Sequence, residues 1–236
     1  MVRMKAIFLL VAALLFAAAP TIYPGFKGID PQFYPNPQAD PPIVPAGYAF
    51  AIWGLLYLWL ILHAGFGLLN RSDDPGWDRA RWPLIVSLTL GSVWLGVAMR
   101  APLQATALIW VMLAGALIAL FAAARVGDRW WFSIPLGLYA GWLTAASWVA
   151  LGLSGAGYGL IFGETGWAVA ALLGALGMAA LVQSRLPQAP SYGLAVIWAL
   201  AAIVAGNAGE APAIAALAGL GALALAGLLI RQRLAA

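Results

Sequence analysis

The sequence predicts an all-α integral membrane protein of eight transmembrane helices, a five-helix bundle followed by three more. Three observations predict it. Of 236 residues, 64% are hydrophobic and only 8% charged, where a soluble domain would carry about a quarter charged residues. Apolar runs long enough to cross a bilayer recur along the whole chain. The basic residues also alternate with those runs. Arg3, Lys5, Arg71, Arg79, Arg81, Arg125, Arg129, Arg185, Arg231 and Arg233 fall on one side, against Lys27 and Arg100 on the other. The positive-inside rule then places both termini in the cytoplasm, which suits a bacterial inner membrane. An odd number of helices would break the alternation.

The first run, Met1 to Ala19, has a basic start and ends in Ala17-Ala18-Ala19 before Pro20. Those small residues would suit a signal peptidase, but the length equally fits a span, and a retained span is the preferred reading. Residues 20–46 form an external loop holding eight of the fifteen prolines, together with Tyr23, Phe26, Phe33 and Tyr34. Proline fixes φ and removes a backbone donor, so this loop should be extended and stiff. It reads either as a lid over an external pocket or as an interfacial loop with its rings at headgroup depth. The further spans are expected at 48–69, 83–99, 103–124, 131–153, 165–183, 191–206 and 212–230, with a charged turn from Asn70 to Trp82. Ten of twelve tryptophans precede residue 150, whereas 165–230 is mostly Ala, Gly and Leu. Small residues at four-residue spacing (Ala218, Ala222, Ala226; Gly166, Ala170, Gly174) let helices approach closely. The chain therefore divides into a functional core, 1–153, and an appended three-helix segment, 154–236.

Several chemistries are excluded. There is no cysteine, hence no disulfide, thiolate metal site or cysteine nucleophile. The one histidine, His63, lies inside span two, so no Ser/His/Asp set can form, and Glu164 and Glu210 stand at external helix ends without partners. Gly155-Ala-Gly-Tyr-Gly159 lacks a following Lys-Ser/Thr and reads as an external turn. No basic cluster exceeds Arg231-Gln-Arg233, which argues against nucleic acid. Nothing reads as an enzyme.

What remains is aromatic. Trp53 and Tyr57 project from one face of span two, with Phe50 about 60° away. Trp94, Trp110, Tyr139 and Trp142 offer rings from spans three to five. Such rings could line a cavity for a flat, largely apolar ligand, oriented by a few hydroxyl or indole groups. Trp77, Trp82, Trp130 and Trp131 lie beside charged turns and read as an interfacial belt. A neutral imidazole at His63 could ligate a tetrapyrrole metal. It lies off the Trp53–Tyr57 face, however, with Trp59 as its nearest expected neighbour, so helix packing is the preferred role. Arg100, followed by Pro102, reads as closing a helical hairpin.

Pro45, Tyr48, Phe50, Trp53 and Tyr57 resemble the Pro-x-Trp-x-Phe…Trp-x-x-x-Tyr pattern of the translocator protein family (tryptophan-rich sensory proteins, TspO/MBR). Trp94 matches that family's span-three tryptophan, and Pro135-Leu-Gly-Leu-Tyr139-Ala-Gly-Trp142 is similar to its span-five stretch, with Tyr139 in place of Trp. The resemblance covers about residues 5–153. Tyr48 stands where the family has Trp, Gly91 where it has Asn, and Ser147 aligns with a second Asn. The resemblance implies a non-enzymatic receptor or sensor binding porphyrin, haem or a similar flat hydrophobic molecule among five helices beneath the first loop. The site would comprise Phe50, Trp53, Tyr57, Trp94, Tyr139, Trp142 and Ser147, with Tyr139 and Ser147 offering hydrogen bonds. No cofactor is required, and porphyrin or haem enters as ligand. The partners expected are the lipid membrane, a hydrophobic small molecule, and a second copy or a larger membrane complex. Alternative roles are a small-metabolite transporter or an accessory structural subunit.

Overall fold

Four helices of this chain begin at a proline, where the missing N–H would have had no helical partner and φ is already set. In the computed structural model, which describes residues 2–26, 28–122 and 126–235, these are α3 (Pro75–Ala98), α4 (Pro102–Ala122), α7 (Pro190–Asn207) and α8 (Pro212–Leu234). The others are α1 (Val2–Ile22), α2 (Ile52–Asn70), α5 (Ser133–Gly157) and α6 (Glu164–Arg185). All eight are long and apolar enough to span a membrane. One short 3-10 turn, Pro31–Phe33, interrupts the first loop, and a second, Gly47–Ala51, joins the loop to α2. Lys27, Arg125 and the expected end of span four at 124 lie outside the described residues.

Helices α1, α5 and α8 run three or four residues past their expected ends, and two helix starts differ in ways that matter here. The charged turn shrinks to residues 71–74, because Asp74 caps a helix that starts eight residues early. Its carboxylate accepts from the backbone N–H of Gly76 (2.7 Å) and Trp77 (3.0 Å), and Pro75 occupies the first helical position. An Asp-Pro start signal outweighed the local charge density. At the other boundary, Phe50 belongs to the 3-10 turn before α2, so its position on the ideal wheel of that helix does not apply.

Helices α1, α3, α4, α5 and α2 follow one another round a five-membered ring, each packed on the next. Close approach is built with glycine where α4 meets α3. A Cβ on Gly115 would meet the Pro83 carbonyl oxygen at 2.6 Å, and Ser87 donates across the same contact to the Met112 carbonyl (2.7 Å). Helix α5 then serves a second group, packing on α6 and α7, with α8 against both of these. Its Gly137 and Gly141 lie directly against Ser191, Tyr192 and Ala195 of α7, leaving no room for a side chain. Thr144 and Tyr192 exchange a buried hydroxyl–hydroxyl bond (3.0 Å). The small-residue stripes are only partly used. Ala218 is fully buried, whereas Ala222 and Ala226 are only half-buried and Gly221, outside the expected stripes, accommodates Leu176 of α6.

A clamp closes the end of the ring that carries both termini. Asp128 accepts from Arg71 Nε (2.8 Å), Arg71 NH2 (3.0 Å) and Trp77 Nε1 (2.9 Å). The Arg71 guanidinium is the main reason this carboxyl is held below the usual range. Trp77 is therefore buried and hydrogen-bonded, in contrast to the belt position expected for it. Trp82, Trp130 and Trp131 are exposed. Arg81, buried beneath the clamp, is satisfied by the carbonyls of Val2, Ser72 and Arg71 and by Asp78.

Candidate functional site: an aromatic cavity under the first loop

Inside the five-helix ring, toward the end covered by the first loop, lies a cavity of two connected lobes. The inner lobe measures about 650 Å³ and the outer about 290 Å³. Both share the rings of Phe26, Phe50, Trp94 and Trp142. Trp53 stacks on Tyr57 one helical turn away (centroids 5.5 Å, 20°). Trp142 meets Trp53 (6.1 Å) and Phe50 (5.8 Å) edge-on. Edge-to-face and offset contacts suit the ring quadrupoles, so the wall is a continuous aromatic lattice.

The inner lobe rests on Phe16 of α1. Its ring stands edge-on to Trp53 (5.7 Å), Tyr57 (5.1 Å) and Tyr139 (5.8 Å). It can stand there because residue 91 is glycine: a Cβ at that position would lie 2.5 Å from the Phe16 ring. One and a half turns on, Gly96 makes the same room for Tyr23 of the loop. Phe16 did not emerge from the sequence because it sits in a uniformly apolar run. The Gly91 and Gly96 pair on α3 was the available signal.

Of the residues expected at the site, Phe50, Trp53, Tyr57, Trp94 and Trp142 line the cavity. Tyr139 and Ser147 do not. Both are fully buried, and their hydroxyls are engaged between helices. Tyr139 pairs with Ser87 Oγ (2.9 Å) and Ser147 donates to the Ile109 carbonyl (3.3 Å). Trp110 instead packs edge-on against Trp148 (5.2 Å). His63 also stands outside the lining. It stacks on Trp77 (4.9 Å, 14°) and touches Phe132 (5.2 Å), and its Nδ1 is 2.7 Å from the Trp131 carbonyl. Its expected neighbour Trp59 pairs with Trp130 instead, because the segment 130–132 folds across α2 and brings Phe132 and the Trp131 carbonyl to the imidazole. Arg100 donates to the Gly96 carbonyl (3.1 Å), capping the end of α3 as a hairpin residue should.

Polar groups along the lobes divide into spent and unspent. Trp94 Nε1 donates to the Ala105 carbonyl (2.8 Å), tying α3 to α4. Trp142 Nε1, by contrast, is buried without a partner, as is Gln38 Oε1. The Gln38 amide nitrogen donates to the Asn36 carbonyl (3.0 Å), and that bond fixes which end of the amide is the acceptor left over. The Tyr34 hydroxyl of the outer lobe also completes no hydrogen bond. Buried polar atoms are normally paired, and unpaired ones call for an explanation.

The loop is fastened over these lobes. Asn36 N–H donates to the Gly157 carbonyl (2.8 Å) and Ala46 N–H to the Ala202 carbonyl (3.1 Å). Asn207 donates to the Pro42 carbonyl (2.9 Å), and Trp198 to the Ala49 carbonyl (3.0 Å). Three of these four anchors are on α7.

A family model described as TSPO-like protein matches residues 6–231, nearly the whole chain. The chain belongs to the TSPO-like protein family. The match takes in α6, α7 and α8 as well as the five-helix ring, so this TSPO-like chain matches the family model beyond the part that resembles the tryptophan-rich sensory proteins. Neither the curated proteins nor the solved structures give a match.

Proposed function

We propose that this TSPO-like membrane protein is a non-enzymatic receptor or sensor. It holds a flat hydrophobic molecule, such as a porphyrin or haem, in the two-lobed cavity and regulates or passes on that ligand. The observation that carries the reading is the cavity itself: an aromatic enclosure whose lining includes Trp142 and Gln38, each holding one buried polar atom without a partner. Its inner lobe lies within the usual range for small-molecule sites, about 300–1,000 Å³. Aromatic walls supply affinity by area and edge contacts, and the two unpaired groups supply one donor and one acceptor to orient the ligand. Since His63 is packed against Trp77 and Phe132, haem would be held by its faces and edges with no histidine bond to the iron.

The test is a titration of detergent-purified protein with protoporphyrin, following tryptophan fluorescence. Saturable quenching at micromolar ligand is expected. It should weaken tenfold or more in the Trp53→Ala/Trp142→Ala double variant, since each ring contact contributes about 0.5–1.5 kcal/mol beyond area. Quenching that never saturates, or that ignores this double change in folded protein, would refute the pocket. Among the described residues the lining carries no charged side chain. Protoporphyrin dimethyl ester is therefore expected to bind as well as the free acid.

A further inference from the structure

A second concavity lies at the opposite end of the molecule, on the outer surface where α2, α5, α7 and α8 meet. It is an open groove of about 490 Å³ with almost wholly apolar walls, among them Trp59, Leu138, Leu194 and Ile230, and with Arg129 and Arg233 among its lining. We propose that this groove binds an anionic phospholipid of the leaflet at the terminus-bearing face, acyl chains along the apolar walls and phosphate against the two arginines.

Four observations carry it. The groove opens to the surface of helices long and apolar enough to span a bilayer, and Leu194 and Ile230 are largely exposed, so hydrocarbon chains are its natural filling. Arg129 and Arg233 also lie where a headgroup would, at the start of α5 and the end of α8. Both are exposed, and among the described residues neither takes part in an ion pair, whereas Lys5, Arg71 and Arg81 on the same face are all paired with aspartates. That face carries nine described basic residues against Asp73, Asp74, Asp78 and Asp128. The other carries Asp30, Asp40, Glu164 and Glu210 against Arg100 alone among the described basic residues. Finally, a symmetric dimer across the groove would bring two Arg129–Arg233 pairs together, and like charges disfavour that arrangement. A basic pocket between helices at a membrane surface is the chemistry that retains a lipid phosphate.

Native mass spectrometry of the full chain, released from detergent with equimolar dioleoyl phosphatidylglycerol and dioleoyl phosphatidylcholine, reads the site directly. One phosphatidylglycerol should be retained in preference to phosphatidylcholine. Arg129→Gln or Arg233→Gln should each weaken retention about fivefold, and the double change about twentyfold or more. The pair Arg3→Gln/Arg185→Gln, on the same face outside the groove, should leave it unchanged. Free glycerol phosphate at the same concentration should not compete. Equal retention of phosphatidylcholine would overturn the proposal, as would equal loss in the control pair or competition by glycerol phosphate. A concentration-dependent dimer that excludes lipid would overturn it in favour of a second copy. Thermal melts of each variant establish that the fold survives these surface changes.

Discussion

Two tryptophans that face the same cavity should respond oppositely when their indole N–H is removed. Trp94 and Trp142 both line the two lobes. Trp94 spends its N–H on the Ala105 carbonyl at 2.8 Å; Trp142 spends its own on nothing. Replacing Trp94 with Phe removes one inter-helix hydrogen bond, a net loss of about 0.5–1.5 kcal/mol, plus the area of the lost ring. The empty protein should melt earlier, and ligand affinity should fall only by the lost contact. Replacing Trp142 with Phe removes a buried donor already unsatisfied in the empty protein, a group that costs about 1–3 kcal/mol to bury. That gain offsets the lost ring area, so the melting temperature should hold or rise. Affinity should fall about three- to tenfold, because the ligand loses the donor it would have satisfied. The assay is a paired thermal melt and protoporphyrin titration on both variants in one detergent. If Trp142→Phe melts early and binds normally, the N–H is not a ligand contact and the argument from unpaired atoms fails.

Gly91→Leu should expel the Phe16 ring from the floor of the inner lobe, destabilising by about 1–3 kcal/mol as overpacking does and abolishing saturable binding. An unchanged titration would show that Phe16 is no part of the site. Asn207→Ala removes the bond to the Pro42 carbonyl (2.9 Å) at about 1 kcal/mol. Stopped-flow should show faster ligand release with little change in melting temperature. Asp128, held low chiefly by Arg71, contributes stability that is complete above the ordinary carboxylate range near 4. That stability is lost as pH falls through its lowered value, so the melting temperature should be flat from about pH 8 to 5 and drop in stronger acid. Asp128→Asn should lower the neutral plateau modestly and shrink that acid step, the pair being partly exposed. Because the chain has no cysteine, Ser72→Cys and Gly163→Cys are clean topology probes. If both termini are cytoplasmic, an impermeant maleimide on intact cells should label the second and spare the first.

The sequence made the helices legible because hydropathy and charge alternation act over twenty residues at a time. Boundaries were legible only where the governing chemistry is local and was read as such: Asp74-Pro75 is a strong start signal hidden in a charged stretch. The cavity wall was partly legible for a related reason. Trp53 and Tyr57 share a helix face and stand out by size, as do Trp94 in the last turns of α3 and Trp142 near the middle of α5. Phe16 did not stand out, because a large ring in a run of Leu and Ala has no distinguishing neighbour until Gly91 comes to face it. Hydroxyls in the sequence are ambiguous in a systematic way. Tyr139 and Ser147 are polar groups in a low-dielectric interior, so partner helices claim them first, Ser87 and Ile109 here. A buried polar side chain read from sequence is therefore evidence of a partner, without saying whether the partner is ligand or protein.

The C-terminal helices help to hold the cavity's roof. A ring of five helices would enclose the cavity's walls, but its roof is a proline-rich strap that can form few backbone bonds of its own. Stiffness alone does not hold such a strap in place. Hydrogen bonds from outside must do so, and α7 provides them at Ala202, Asn207 and Trp198. Helix α7 is in turn seated on α5 through Gly137 and Gly141, the helix that also carries Trp142. The roof and the Trp142 wall of the cavity are thus referred to one central helix. Helix α7 touches both the loop that roofs the cavity and the helix that carries Trp142, so the helices beyond the five-membered ring help to hold the cavity's shape.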